Sequence, residues 1–150
     1  MTKTDTSRIL QLTGILTETS TLPQLLAAMA PERVTTGLQS LGMLSLRTLA
    51  RTFKTDSTDV VEVIRDVLVQ QEPDGPTART LLGLTVLELL DRGEPDEARR
   101  RFEDIEDGLQ GLLDINIFLL RFLSRKTGKP VADVLSAMGQ ATRALEALRR

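Results

Sequence analysis

The chain has 150 residues, 41% of them hydrophobic, a formal charge of −2, and no histidine, cysteine, tryptophan or tyrosine. That inventory removes the commonest general base, thiolate chemistry, disulfides, the usual transition-metal ligands and two of the aromatic types that stack on bases or sugars. The length suits one globular domain over 1–150, the lack of any eighteen-residue apolar run argues against a helical membrane span, and the near-neutral charge supplies no field that would gather nucleic acid or anionic lipid.

Helical spacing and helical punctuation run through almost the whole chain. Ser7 is placed to cap a first helix whose apolar stripe holds Leu12, Ile15 and Leu16 and fades at Thr19–Thr21. Pro23 opens a short second helix through Met29, and Pro31 starts a third piece toward Gly37. A longer helix is expected over 38–53, with Leu38, Leu41, Leu44, Leu46 and Leu49 inward. The run VVEVIRDVLV at 60–69 is rich in β-branched residues and carries a partial period of two. It still reads as helix, because Val60, Ile64, Val67 and Leu68 share one face and Asp56 or Ser57 supplies an N-cap.

The stretch QQEPDGP marks a linker at 73–76 near the midpoint. A helix then runs from Thr77 to about Arg92 and stops at Gly93; Pro95 opens the next, with Ala98, Phe102 and Ile105 on one face, ending near Gly108. The most apolar helix spans 109–126, with Gly128 as its C-cap and Pro130 opening the last helix. That last helix shows Val131, Val134, Leu135, Met138, Leu145 and Leu148 as an inward stripe. The fold class is therefore all-α, a compact bundle of seven or eight helices.

Two stretches echo one another. LRFLSRKTGKPVADVLSAM at 120–138 and LRTLARTFKTDSTDVVEVI at 46–64 share residues at 46/120, 47/121, 49/123, 51/125, 59/133 and 60/134. Pro23 faces Pro95, and Gly37-Leu38-Gln39 faces Gly108-Leu109-Gln110. One reading is a tandem duplication of a four-helix unit, 7–72 and 77–148, joined by the linker. The other is that leucine-rich helices resemble one another by composition.

Three constellations bear on function. Each echoing stretch reads as helix, corner, helix, and in the second Arg121, Arg125, Lys126 and Lys129 form a basic edge suited to phosphate or an acidic partner. A DNA-reading helix, however, needs base-edge donors near its start, where this one holds Val131, Ala132 and Asp133. Next, 82–105 resembles a tetratricopeptide-type hairpin in Leu89-Leu90, Gly93, Glu97-Ala98 and Phe102. The resemblance implies helix-pair stacking and a protein-binding role, although the tryptophan and tyrosine of that pattern are absent and no thirty-four-residue period appears. Last, Arg99-Arg100-Arg101 precedes Glu103, Asp104, Glu106 and Asp107; Arg99–Glu103 and Arg100–Asp104 are spaced for ion pairs on a solvated face, with Mg²⁺ binding by the acids as the sharper alternative.

No nucleophile–base pair, phosphate-binding glycine loop or metal motif is present, so no catalytic residue and no cofactor is expected. The leading expectation is a non-enzymatic helical interaction module: an adaptor, scaffold or regulatory subunit that binds a protein partner or itself. Met43, Leu44 and the last helix are its candidate surfaces. A homodimer would cover the apolar 112–123 segment. The alternatives are a nucleic-acid-binding regulator using the basic edge, and a helical enzyme relying on carboxylates. The opening MTKTDTSRIL lacks a signal-peptide core, so a cytoplasmic location is expected, and the bias to arginine over lysine suits a GC-rich bacterial genome.

Overall fold

A computed structural model of the chain describes residues 3–71, 76–103 and 107–148. Among these residues there are eight α-helices and no strand: α1 (Lys3–Ile15), α2 (Leu22–Ala28), α3 (Pro31–Thr52), α4 (Ser57–Gln71), α5 (Pro76–Asp91), α6 (Pro95–Glu103), α7 (Gly108–Thr127) and α8 (Val131–Leu148). The expected all-α class and helix number are what the chain adopts. The linker read at 73–76 lies almost wholly outside the described residues, as does Ile105.

The caps explain most of the boundaries. Gln24 reaches back so that its Oε1 accepts the Thr21 N–H at 3.0 Å, fixing the start of α2 beside Pro23. Asp56 Oδ1 accepts the Asp59 N–H at 2.9 Å and so caps α4, which settles the β-branched run as helix. Its Val60, Val61, Ile64 and Leu68 are buried, and Val67 is half-buried. α5 ends at Gly93, whose φ of +78° lets the Glu94 N–H turn back to the Leu89 carbonyl at 2.9 Å. α7 is followed by Gly128, also at positive φ (+71°), whose own N–H donates to the Ser124 carbonyl at 2.9 Å.

Three expectations are corrected. α1 already runs from Lys3, so Ser7 lies exposed inside the helix and caps nothing. The two pieces expected on either side of Gly37 are one 22-residue helix, α3. Gly37 lowers helix propensity by about 1 kcal/mol, but it is buried against the Leu12 side chain, and that packing outweighs the local preference. Ile15, Leu145 and Leu148 are exposed instead of inward, and Leu44 is half-buried. Ile15 gives up its place to Leu16 one residue on, which is buried just past the helix end.

The helices gather into two units. One is drawn from Met1–Leu41 and Ile117–Arg150, the other from Gly42–Asn116. In the first, α1 packs along α8, with Gly139 facing Thr13. Ile9, Leu12, Leu25, Val34 and Leu38 are buried with Leu119, Leu120, Leu123, Leu135 and Met138. In the second, α5 packs on both α4 and α6. Its buried set holds Leu46, Leu49, Ile64, Leu84, Leu87, Ala98, Leu112 and Ile115. This grouping concerns packing and is a separate matter from the ancestry of the two echoing stretches.

At one seam in the second unit two helix backbones nearly touch. A β-carbon added at Gly111 would lie 2.5 Å from the Arg79 carbonyl oxygen, and one added at Gly83 would lie 2.8 Å from the Gly111 carbonyl carbon. Only glycine permits α5 and α7 to approach so closely. Beside the seam, Asp114 binds Arg79 Nε at 2.9 Å through Oδ2 and accepts from Gln110 Nε2 at 2.9 Å through Oδ1. The seam and its polar clasp hold α5 and α7 together.

Candidate interaction surfaces

The residues of the expected basic edge lie along the last two turns of α7 and in the corner after it. Arg121 is partly engaged: its Nη2 donates to the Glu18 carbonyl oxygen at 3.2 Å and its Nε lies 4.0 Å from the Glu18 carboxylate. Lys126 Nζ sits 5.5 Å from the centre of the Phe122 ring, and Phe122 stacks with Phe118 at 6.4 Å between centres and 25° between planes. Arg125 and Lys129 are exposed. In the corner itself, Ser124 Oγ donates to the Lys129 carbonyl oxygen at 2.5 Å and the Gly128 N–H to the Ser124 carbonyl at 2.9 Å. Cations in the last turn also suit the negative end of the helix dipole, so part of this edge serves α7 itself. At the start of α8, Ala132 and Asp133 are exposed, which places no base-edge donor there.

The other echoing corner shares the positive φ at its turn but not the backbone bonding. Lys54, seventy-four positions before Gly128, has φ +54°, and the Thr55 N–H turns back to the Ala50 carbonyl at 2.9 Å. A lysine in the left-handed region is a strained choice where the second corner uses glycine.

The 82–105 hairpin forms as helices α5 and α6 around Gly93, with Ala98 buried and Phe102 half-buried. Its arginine triplet pairs with the acids before it. Arg99 Nη2 lies 3.3 Å from Asp96 Oδ1, Arg100 meets Glu97, and Arg101 Nε lies 3.4 Å from Glu97 Oε1. The pair expected between Arg99 and Glu103 gives way to the backward pair with Asp96, and these backward pairs put the acids at the positive end of α6. Asp104 and Glu106 lie outside the described residues. All three arginines are more than half exposed, so each pair adds a few tenths of a kcal/mol at most.

A polar cluster absent from the sequence reading sits at the end of α5. Glu88 meets Arg65 Nη2 at 3.2 Å and Arg92 Nη2 at 3.5 Å, and Asp91 meets Arg47 Nε at 3.5 Å while accepting from Ser57 Oγ at 2.5 Å. The two carboxylates are mostly shielded, at 15% and 18% side-chain exposure. Each is compensated by arginine, which ties α3, α4 and α5 within one unit. The signal in the sequence is the Glu88/Asp91 spacing on a helix otherwise apolar, but the arginines come from other helices and have no readable spacing to it.

Among the described residues no three metal-ligating side chains gather, and no helix is long and apolar enough to cross a membrane. Of the expected apolar surfaces, Met43 and Leu44 are half-buried. The 112–123 segment is better covered than expected: Leu112, Leu113, Ile115, Leu119, Leu120 and Leu123 are buried without a partner chain. Of these expected surfaces, the last helix keeps large apolar side chains in water. Val131, Val134, Leu135, Met138 and Thr142 are buried along one stripe, and Leu145 lies on the middle of that same stripe yet is 46% exposed, with Leu148 at 83%.

Comparison with protein-family models, with curated proteins and with solved structures finds no match to this chain.

Proposed function

We propose that this chain is a non-enzymatic helical protein-interaction module, acting in the bacterial cytoplasm as an adaptor, scaffold or regulatory subunit that binds a protein partner or a second copy of itself through a helix face. The observation that carries the reading is the end of α8, where the core stripe continues past its cover at Leu145, and Leu148 beyond it stands in water. Exposed apolar side chains on a continuous helical stripe are suited to a groove on another helix pair. The α5–α6 hairpin, with Ala98 buried between its helices and its arginines largely exposed, has the helix-pair form of a protein-binding repeat.

Burying a leucine side chain is worth about 1.5–3 kcal/mol, so Leu145→Ser/Leu148→Ser is expected to weaken association more than tenfold. Light scattering at increasing concentration, with recovery of partners from native lysate beside it, measures this. A wild-type chain that stays strictly monomeric and retains no protein that the double variant loses would overturn the reading.

A further inference from the structure

The outer face of α4 lies in water along its length; at its start the Asp59 carboxylate accepts from Thr55 Oγ1 at 2.6 Å. Asp59, Glu62, Val63, Asp66, Val69 and Gln70 recur at three- and four-residue spacing and all are exposed, Val63 by 52% and Val69 by 49%. A helix turning about 100° per residue places these six in one sector. The only cation on α4, Arg65, is turned away to Glu88. The result is an acidic helical face flanked by two bare valines.

The end of α7 has the opposite character. The stacked Phe118 and Phe122 rings are half-buried, with Arg121 and Arg125 toward one side and Lys126 toward the other; Lys129 follows in the corner. The acids near it are Glu18, which holds Arg121, and Asp133 on α8. Four cations against two carboxylates leave the edge basic.

We propose that the α4 face of one copy docks on the α7 edge of a second copy. This rests on the self-association arm of the function proposed above, but on residues other than Leu145 and Leu148. Glu62 and Asp66 meet Arg125 and Lys129, while the Val63 and Val69 methyls cover the exposed parts of the phenylalanine rings. Charge complementarity sets the pairing and the valines supply the apolar burial that exposed ion pairs alone do not. Phosphate backbones are a poorer fit for the edge, because the Glu18 carboxylate already stands 4.0 Å from Arg121 Nε. Since the two faces differ, two copies either pair both faces reciprocally about a two-fold axis or join head-to-tail into a ring or a chain. A single helix-on-helix contact is small, so the association is weak and salt-sensitive.

Sedimentation velocity of the full chain at about 0.05 M and about 0.5 M salt tests this, with the association constant expected to fall about tenfold or more. Glu62→Lys/Asp66→Lys and Arg125→Glu/Lys129→Glu, all at exposed positions, are each expected to lose about a hundredfold, and an equimolar mixture of the two variants to regain association. Circular dichroism confirms that each variant is folded; the salt arm stands independently of them. A wild-type chain that is monomeric at low salt overturns the proposal. So does association that ignores salt and both charge reversals but is lost in Leu145→Ser/Leu148→Ser, an outcome that leaves the function reading intact. Binding of duplex DNA that Arg125→Glu/Lys129→Glu abolishes, without self-association, would overturn it by assigning the edge to phosphate.

Discussion

Gly83→Ala is expected to destabilise the protein although it improves the local helix propensity of α5. The added β-carbon would lie 2.8 Å from the Gly111 carbonyl carbon, closer still to its oxygen, and 2.9 Å from Ile115 Cγ2. Ordinary carbon–carbon contacts are about 3.5–4.0 Å, so the overlap approaches 1 Å. A flexible side chain would swing aside, but here the obstacle is the backbone of α7. The helices must separate, which also loosens the Arg79–Asp114 clasp. Overpacking of this kind costs about 3 kcal/mol, against about 1 kcal/mol gained from replacing glycine by alanine in a helix. The net loss of about 2 kcal/mol corresponds to a melting temperature lower by about 4–8 °C for a chain of this size. Gly14→Ala is the control, since a β-carbon there meets nothing within 4 Å. It is expected to raise the melting temperature by about 1–3 °C through helix propensity alone. Thermal unfolding followed by circular dichroism reads both. A Gly83→Ala protein that melts at or above the wild type would refute the close approach of α5 and α7.

The two corners make a paired prediction. Gly128→Ala, at φ +71°, is expected to cost about 1 kcal/mol, whereas Lys54→Gly, at φ +54°, is expected to gain about 0.5 kcal/mol, both read from denaturant midpoints. Equal signs for the two changes would sink the account. Leu84→Ala, at a fully buried position in α5, is expected to cost about 3 kcal/mol in urea unfolding; a loss below about 1 kcal/mol would mean that Leu84 does not sit in a close-packed core.

How legible each feature was follows from how local its cause is. Asp56, Pro23, Pro95, Gly93 and Gly128 act on their own helix ends, so their roles could be read from a few neighbouring residues. The basic edge was legible too, because four cations within nine positions at one helix end cannot avoid being near one another. What each cation does there was not. Arg121 is held by Glu18, 103 positions away, and Lys126 leans on a phenylalanine ring. The Glu88 and Asp91 cluster was invisible for the same reason, since its arginines arrive from α3, α4 and the turn after α5. Arg99 shows the limit of spacing rules: acids three residues before it and four after it both suit a pair, and it takes Asp96, nearer the positive helix end.

By itself the sequence determined that this chain is helical, roughly where each helix starts and stops, and which chemistries its side chains cannot perform. Those follow from backbone hydrogen bonding, capping and residue type, all local properties. Only the tertiary structure decided that Gly37 lies inside one long helix, that α5 and α7 meet at glycines, and that the stripe of α8 outruns its cover at Leu145. An apolar period marks the face a helix would bury. How far along that face a neighbour extends is fixed by packing between distant segments, and the surface left over is where this protein has apolar side chains to offer a partner.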